Sequence, residues 1–106
     1  MAVTEVSKGI YDVTATESAA TLIPFESGKG GINSIAICNQ HGSTDAVVSL
    51  ILDDELGSTN DIYIVKGASI PAGVTLVLKS FFTFNTNVHS LKLTNTGGVP
   101  LSIIIR

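Results

Sequence analysis

The chain has 106 residues, a net charge of −3 and a single cysteine, Cys38, which bounds it to one domain without an internal disulfide and without the basic footprint of a nucleic-acid binder. Apolar residues make up 44% of it and charged residues only 14%, against about 25% charged in an ordinary soluble domain, so few charges are left to cover a monomer and self-association is expected. The opening residues have neither the basic nor the apolar region of a signal peptide, and every uninterrupted apolar run is too short to cross a bilayer, so synthesis and folding in a cytoplasm and no membrane partner are expected.

In chain order, residues 1–9 are small and polar and read as a flexible arm able to latch onto a neighbour. Residues 10–13 read as a short edge strand. Residues 20–25 read as a second strand, with Pro24 suiting an edge or a strand end. Ser27-Gly28-Lys29-Gly30-Gly31 is a flexible turn. Residues 32–39 alternate, with Ile35 and Ile37 on one face and Ser34, Ala36 and Cys38 on the other. Residues 46–52 alternate in the same way, with Val48, Leu50 and Leu52 set against Val47, Ser49 and Ile51.

Residues 62–78 hold two apolar runs rich in β-branched side chains, separated by Ile70-Pro71-Ala72-Gly73. Proline presets the φ angle of a tight turn and glycine supplies a positive φ, so a strand, a sharp corner and a second strand are predicted. Residues 80–88 carry Phe81, Phe82 and Phe84. In residues 89–94, Leu91 and Leu93 point inward; after a turn at 95–98, Val99, Leu101, Ile103 and Ile105 share one face. Seven or eight short strands joined by Gly, Asn, Ser, Asp and Pro, with no amphipathic helical stripe, predict an all-β antiparallel sandwich, Ig-like or jelly-roll.

Little in the chain speaks for chemistry. Asp53, Asp54, Glu55 and Asp61 form the one acidic cluster, in the loop at 53–61. Hard cations take several oxygen ligands, but this spacing matches no EF-hand, and acidic loops between strands are ordinarily solvated. Cys38, His41 and His89 lack any placed partner for a thiol–imidazole pair, and Cys38 reads as a small inert core residue. The Gly-Lys pair at Gly28-Lys29 lacks the rest of a phosphate-binding loop. Catalytic, metal and cofactor-binding residues are therefore expected to be absent, and the chain is not expected to be an enzyme.

Association is the better-supported expectation. Three phenylalanines within four residues cannot all face one way from an extended chain, so Phe81, Phe82 and Phe84 divide between core plug and subunit contact. Ile51, Val77 and Ile104 occupy second faces of strands whose first faces are already apolar, and they complete the expected interface set.

Ser34-Ile-Ala-Ile-Cys-Asn39, Val48-Ser-Leu-Ile-Leu-Asp53, Ile62-Tyr-Ile-Val-Lys66 and Ile70-Pro-Ala-Gly-Val-Thr-Leu-Val-Leu78 together resemble small β-sandwich virion proteins of tailed bacteriophages, over residues 32–106. The resemblance implies a non-enzymatic building block of a virus particle. Its first form is a capsid decoration (cement) protein; a tail, neck or head-completion subunit is the alternative. The implied partners are further copies of the chain, with a trimer favoured, and other virion proteins such as the major capsid protein; the implied location is the virion. A carbohydrate-binding fibre or adhesin module is a second class, weakened by the absence of tryptophan and the presence of only Tyr11 and Tyr63.

Overall fold

The computed structural model describes residues 3–13, 17–57, 61–79, 82–96 and 99–106, with backbone alone for 3, 17–19 and 82. Among them are eleven strands and no helix, and hence no helix long and apolar enough to cross a membrane. In chain order they are β1 (Val3–Ser7), β2 (Ile10–Val13), β3 (Glu17–Ile23), β4 (Gly31–Ile32), β5 (Ile35–Asn39), β6 (Ala46–Asp54), β7 (Ile62–Ile70), β8 (Thr75–Leu78), β9 (Phe82–Thr83), β10 (His89–Asn95) and β11 (Leu101–Ile105).

They form a five-stranded sheet in the order β1-β2-β11-β5-β8, a four-stranded sheet in the order β3-β10-β6-β7, and a two-stranded ribbon of β4 and β9. Every pairing is antiparallel. The pairings also nest. First joins last as β2 with β11, then β3 with β10, then β5 with β8, and β6 with β7 lie innermost. From β2 onward the chain changes sheet at each long strand except the β6–β7 hairpin.

The alternation explains why two sheets result. Tyr11, Val13, Ile35, Ile37, Leu101 and Ile103 from the larger sheet meet Leu22, Ile23, Val48, Leu50, Ile70, Leu91 and Leu93 from the smaller one in a single buried cluster. Removing each such side chain from water is worth about 1.5–3 kcal/mol. Neither sheet can cover its own apolar face, so the cluster holds the two together.

Several expectations are corrected. Val3–Ser7, read as an arm, is an edge strand paired with β2 across a bulge between Glu5 and Ser7. The number of strands exceeds seven or eight, because of that edge strand, because Gly31–Ile32 stands apart from Ile35–Asn39 as β4, and because the short β9 pairs with β4. The strand, corner and strand expected around Ile70 are present, but the corner carries the chain from one sheet to the other, since β7 and β8 belong to different sheets. Its turn starts one residue later than predicted, with the Val74 N–H donating to the Pro71 carbonyl at 3.0 Å and Gly73 taking φ +75. Cys38 is not a core residue; it is half-buried on the outer face of β5, where alternation places it once Ile35 and Ile37 point inward.

Two polar groups tie the sheets to each other from inside. Asn39 is fully buried, and its Nδ2 donates to the Thr44 carbonyl and the Ile70 carbonyl, each at 2.9 Å, while Oδ1 accepts the His41 N–H at 2.9 Å. At the opposite end, the buried Tyr11 hydroxyl on β2 donates to the Leu22 carbonyl on β3 at 2.9 Å. Burial, with the Glu5 carboxylate adding to it, raises the Tyr11 pKa above its ordinary 10.0.

Two outcomes follow from these bonds. Asn39→Ala strands the buried Ile70 carbonyl and frees a part-buried carbonyl and N–H at Thr44 and His41, and should cost about 1–3 kcal/mol in urea unfolding with an unchanged m-value. The raised Tyr11 pKa means that the folded state keeps the phenolic proton longer than the unfolded chain does. Its contribution is therefore fully present below about pH 10 and lost as pH rises through the folded value. Tyr11→Phe should cost about 1 kcal/mol at neutral pH and make the alkaline fall in stability shallower, as read from melting temperatures between pH 8 and pH 11.

Candidate interaction surface

Cross-strand register assembles the surface. On the outer face of the five-stranded sheet, Ile104 of β11 lies opposite Ile10 of β2 on one side and Ala36 of β5 on the other. Ala36 in turn lies opposite Val77 of β8. Directly opposed residues in an antiparallel sheet share a face, with strands about 4.8 Å apart, so Ile10, Ile104, Ala36 and Val77 make one apolar row about 14 Å long. Ile10 is 41% exposed and Val77 44%, with Ile104 and Ala36 half-buried between them. The neighbouring row is polar: Asp12, Ser102, Cys38 and Thr75. The Gln40 amide bonds the Ser102 hydroxyl there.

Ile51 falls on the other sheet. It lies between Lys92 and Tyr63 in a row completed by Thr21. This face is mixed, with exposed Val47 and Tyr63 beside a charged group. The Lys92 Nζ pairs with Asp53 at 2.6 Å and with Glu55 at 3.5 Å, and the hydrogen bond to Asp53 leads the effects that raise the Lys92 pKa above its ordinary value. The Lys66 ammonium stands 5.0 Å over the Tyr63 ring. Of the six residues expected at an interface, Val77 and Ile104 are thus brought into one row and Ile51 is separated from them. Phe84 is half-buried and packs against the core; Phe81 and the Phe82 side chain lie outside the described residues.

The acidic loop is occupied with its own architecture. Asp54 Oδ1 accepts the N–H groups of Leu56 at 3.1 Å and Gly57 at 3.0 Å, and Asp61 Oδ1 accepts the Asp54 N–H at 2.8 Å. Asp53 and Glu55 serve Lys92, and Glu55 also accepts the Ser90 hydroxyl. No group of three or more His, Cys, Asp or Glu side chains that could hold a metal occurs among the described residues. His41 Nδ1 accepts the Ser43 and Thr44 N–H groups, each at 3.0 Å, at the end of β5. His89 pairs with Asp54 at the other end of the molecule, so Cys38 and His89 are not brought together.

Sequence reasoning missed Ile10 and Ala36. Ile10 reads as part of a short strand and Ala36 as a small alternating residue; only the register of four strands distant in sequence joins them to Ile104 and Val77. No family model, curated protein or solved structure matches the chain.

The described carboxylates of the loop are engaged in bonds within the protein, so stability is expected to be independent of divalent cations. The melting temperature should be the same with and without EDTA, and millimolar Ca²⁺ should leave it unchanged; a rise of several degrees with Ca²⁺ would expose a bound-ion state.

Proposed function

We propose that this chain is a non-enzymatic structural subunit of a bacteriophage particle, a capsid decoration protein that holds a shell together through repeated contacts between copies and with the major capsid protein. The observation that carries the reading is the row Ile10–Ile104–Ala36–Val77, an apolar strip on an outer sheet face of a protein poor in charge. Isolated exposed apolar residues are ordinary, whereas aligned ones usually mark an interface.

The strand order supports the same reading. The eight strands β2, β3, β5, β6, β7, β8, β10 and β11 divide into β2-β11-β5-β8 and β3-β10-β6-β7. Such nesting is what a long hairpin produces when it is rolled into a β-sandwich with two Greek keys, so we read the fold as a jelly roll with β1 added at one edge. Jelly rolls recur in viral capsid and lectin domains, though fold alone does not assign function. The lectin-like alternative draws less support. Tyr11 is buried, and the face of Tyr63 is taken by Lys66, so neither of the two tyrosines offers a free stacking platform.

A decoration subunit works through area. Burying what remains exposed of Val77 or Ile104 at a contact is worth about 0.5–1 kcal/mol, and symmetry repeats that gain at every copy. The test is light scattering over a range of concentrations, with Val77→Asp and Ile104→Asp beside the wild type. The wild type should associate, with a trimer the favoured form. Both variants should be monomeric, with unchanged β-type circular dichroism. A wild type that stays monomeric at every concentration and is absent from purified particles would overturn the reading; its position in a cryo-EM map separates shell from neck and tail.

A further inference from the structure

Half of the basic residues of this acidic protein converge on one cavity. It has a volume of about 440 Å³ and is lined by Lys8, Lys29 and Arg106, with Glu5 and apolar walls from Tyr11, Ile23 and Ile105. The whole chain has six basic residues and a net charge of −3. Among the described residues, every ion pair belongs to Lys92, so none of these three cations has a carboxylate partner of its own. From this geometry we infer that the cavity is a binding site for a compact anion, a small molecule or group bearing phosphate or carboxylate oxygens.

The site is built rather than incidental. Lys29 sits on a loop pinned from below by Thr86, whose carbonyl accepts the Glu26 N–H at 2.7 Å and whose hydroxyl accepts the Gly28 N–H at 3.1 Å. Thr86 is itself buried, and Glu26 is held at φ +64 to complete the bend. Arg106 is fixed by its backbone: its N–H donates to the Ser34 carbonyl at 2.9 Å, and its carbonyl accepts the Asn33 N–H at 2.6 Å. Lys8 precedes Gly9, which takes φ +74 and lies so close to the Ile105 carbonyl that no Cβ would fit. Three basic residues, 98 positions apart at the extremes, are thus brought to the lining of one hollow by the β1–β2 turn, the β3–β4 connection and the end of β11.

Glu5 offsets one of the three charges and leaves the lining net positive. Its carboxylate accepts the Gly9 N–H at 3.0 Å and lies beside the Tyr11 hydroxyl, which holds it against the wall. The Gly9 and Gly28 N–H groups are spent within the protein, so the proposed site relies on the long, exposed side chains of the lining residues Lys8, Lys29 and Arg106. A guanidinium offers a planar fork that matches both phosphate and carboxylate oxygens. The volume is that of a small-molecule site. The surrounding protein is acidic, which repels an extended polyanion such as nucleic acid while leaving a small one free to enter.

The test is a titration of the ¹⁵N-labelled full chain at low salt with pyrophosphate and, separately, citrate. Saturable shifts confined to the amides of Gly9, Gly28, Lys29 and Gly31 are expected with at least one probe, and the tighter probe identifies the preferred head group. Lys8→Gln with Lys29→Gln should weaken that binding by about tenfold or more, whereas Lys79→Gln, a control outside the cavity, should not. Melting curves verify that the variants are folded, and Arg106→Gln gives a second reading should the double variant misfold. Shifts that fail to saturate at millimolar probe, equal weakening by Lys79→Gln, or tighter binding of a short DNA duplex than of either probe would overturn the assignment.

Discussion

The fold depends on one buried amide. Asn39 ends β5 in the five-stranded sheet, and its side chain reaches the Ile70 carbonyl at the end of β7 in the four-stranded sheet and the Thr44 carbonyl just before β6. Its own backbone closes on the 71–74 turn, accepting the Gly73 N–H and donating to the Val74 carbonyl, each at 3.0 Å. Two chain crossings between sheets, β5 to β6 and β7 to β8, therefore meet at one residue. A buried amide has two N–H donors and an oxygen acceptor, and here each of the three has a partner. An apolar residue of similar size would keep the packing and lose the register, because it would leave carbonyls stranded at the points where the chain changes sheet.

The other end is held differently. Tyr11 bridges the sheets through the Leu22 carbonyl, and Thr86 clamps the loop that follows β3. Between the two ends lies the apolar cluster, which is non-directional and would tolerate sliding of one sheet over the other. Directional bonds at both ends turn that tolerance into a single arrangement. The outer faces then inherit their character from the register: one sheet presents Ile10, Ile104, Ala36 and Val77 in line, and the other presents Lys92 with its carboxylates.

The inward faces were legible in the sequence because period-two alternation is local. Leu91 and Leu93, Ile35 and Ile37, and Leu101 and Ile103 are buried as the pattern indicates. What alternation does not encode is partnership. Val3–Ser7 has no apolar face of its own, with one valine on each side, and becomes a strand because β2 offers it an edge. The Pro71–Gly73 corner carries a turn signal, but whether a turn closes a hairpin or crosses between sheets is settled by the distant Asn39. Val77 and Ile104 were visible as apolar residues on a second face; their alignment with Ile10 and Ala36 was not. The cavity was the least legible feature, since Lys8, Lys29 and Arg106 share no motif and meet through three separate elements.

The two proposed surfaces share β11, and the geometry of that strand keeps them apart. Successive residues of a strand face opposite ways, so Ile104 points to the outer apolar row while Ile105 lines the cavity. A subunit seated on the row presses on the outer face; an anion in the cavity touches the strand end and the β3–β4 connection. Val77 lies on β8, at the edge of the sheet opposite β1, which brings in Lys8, so a charge introduced at Val77 is separated from the cavity by the width of the sheet. Loss of assembly in Val77→Asp with the anion site intact, and loss of anion binding in the lysine variants with assembly intact, are therefore separable results. Coupling between them, if it arises, has to pass through the backbone of β11, where the Ile105 N–H is bound to the Gly9 carbonyl at 2.7 Å and Arg106 to Ser34.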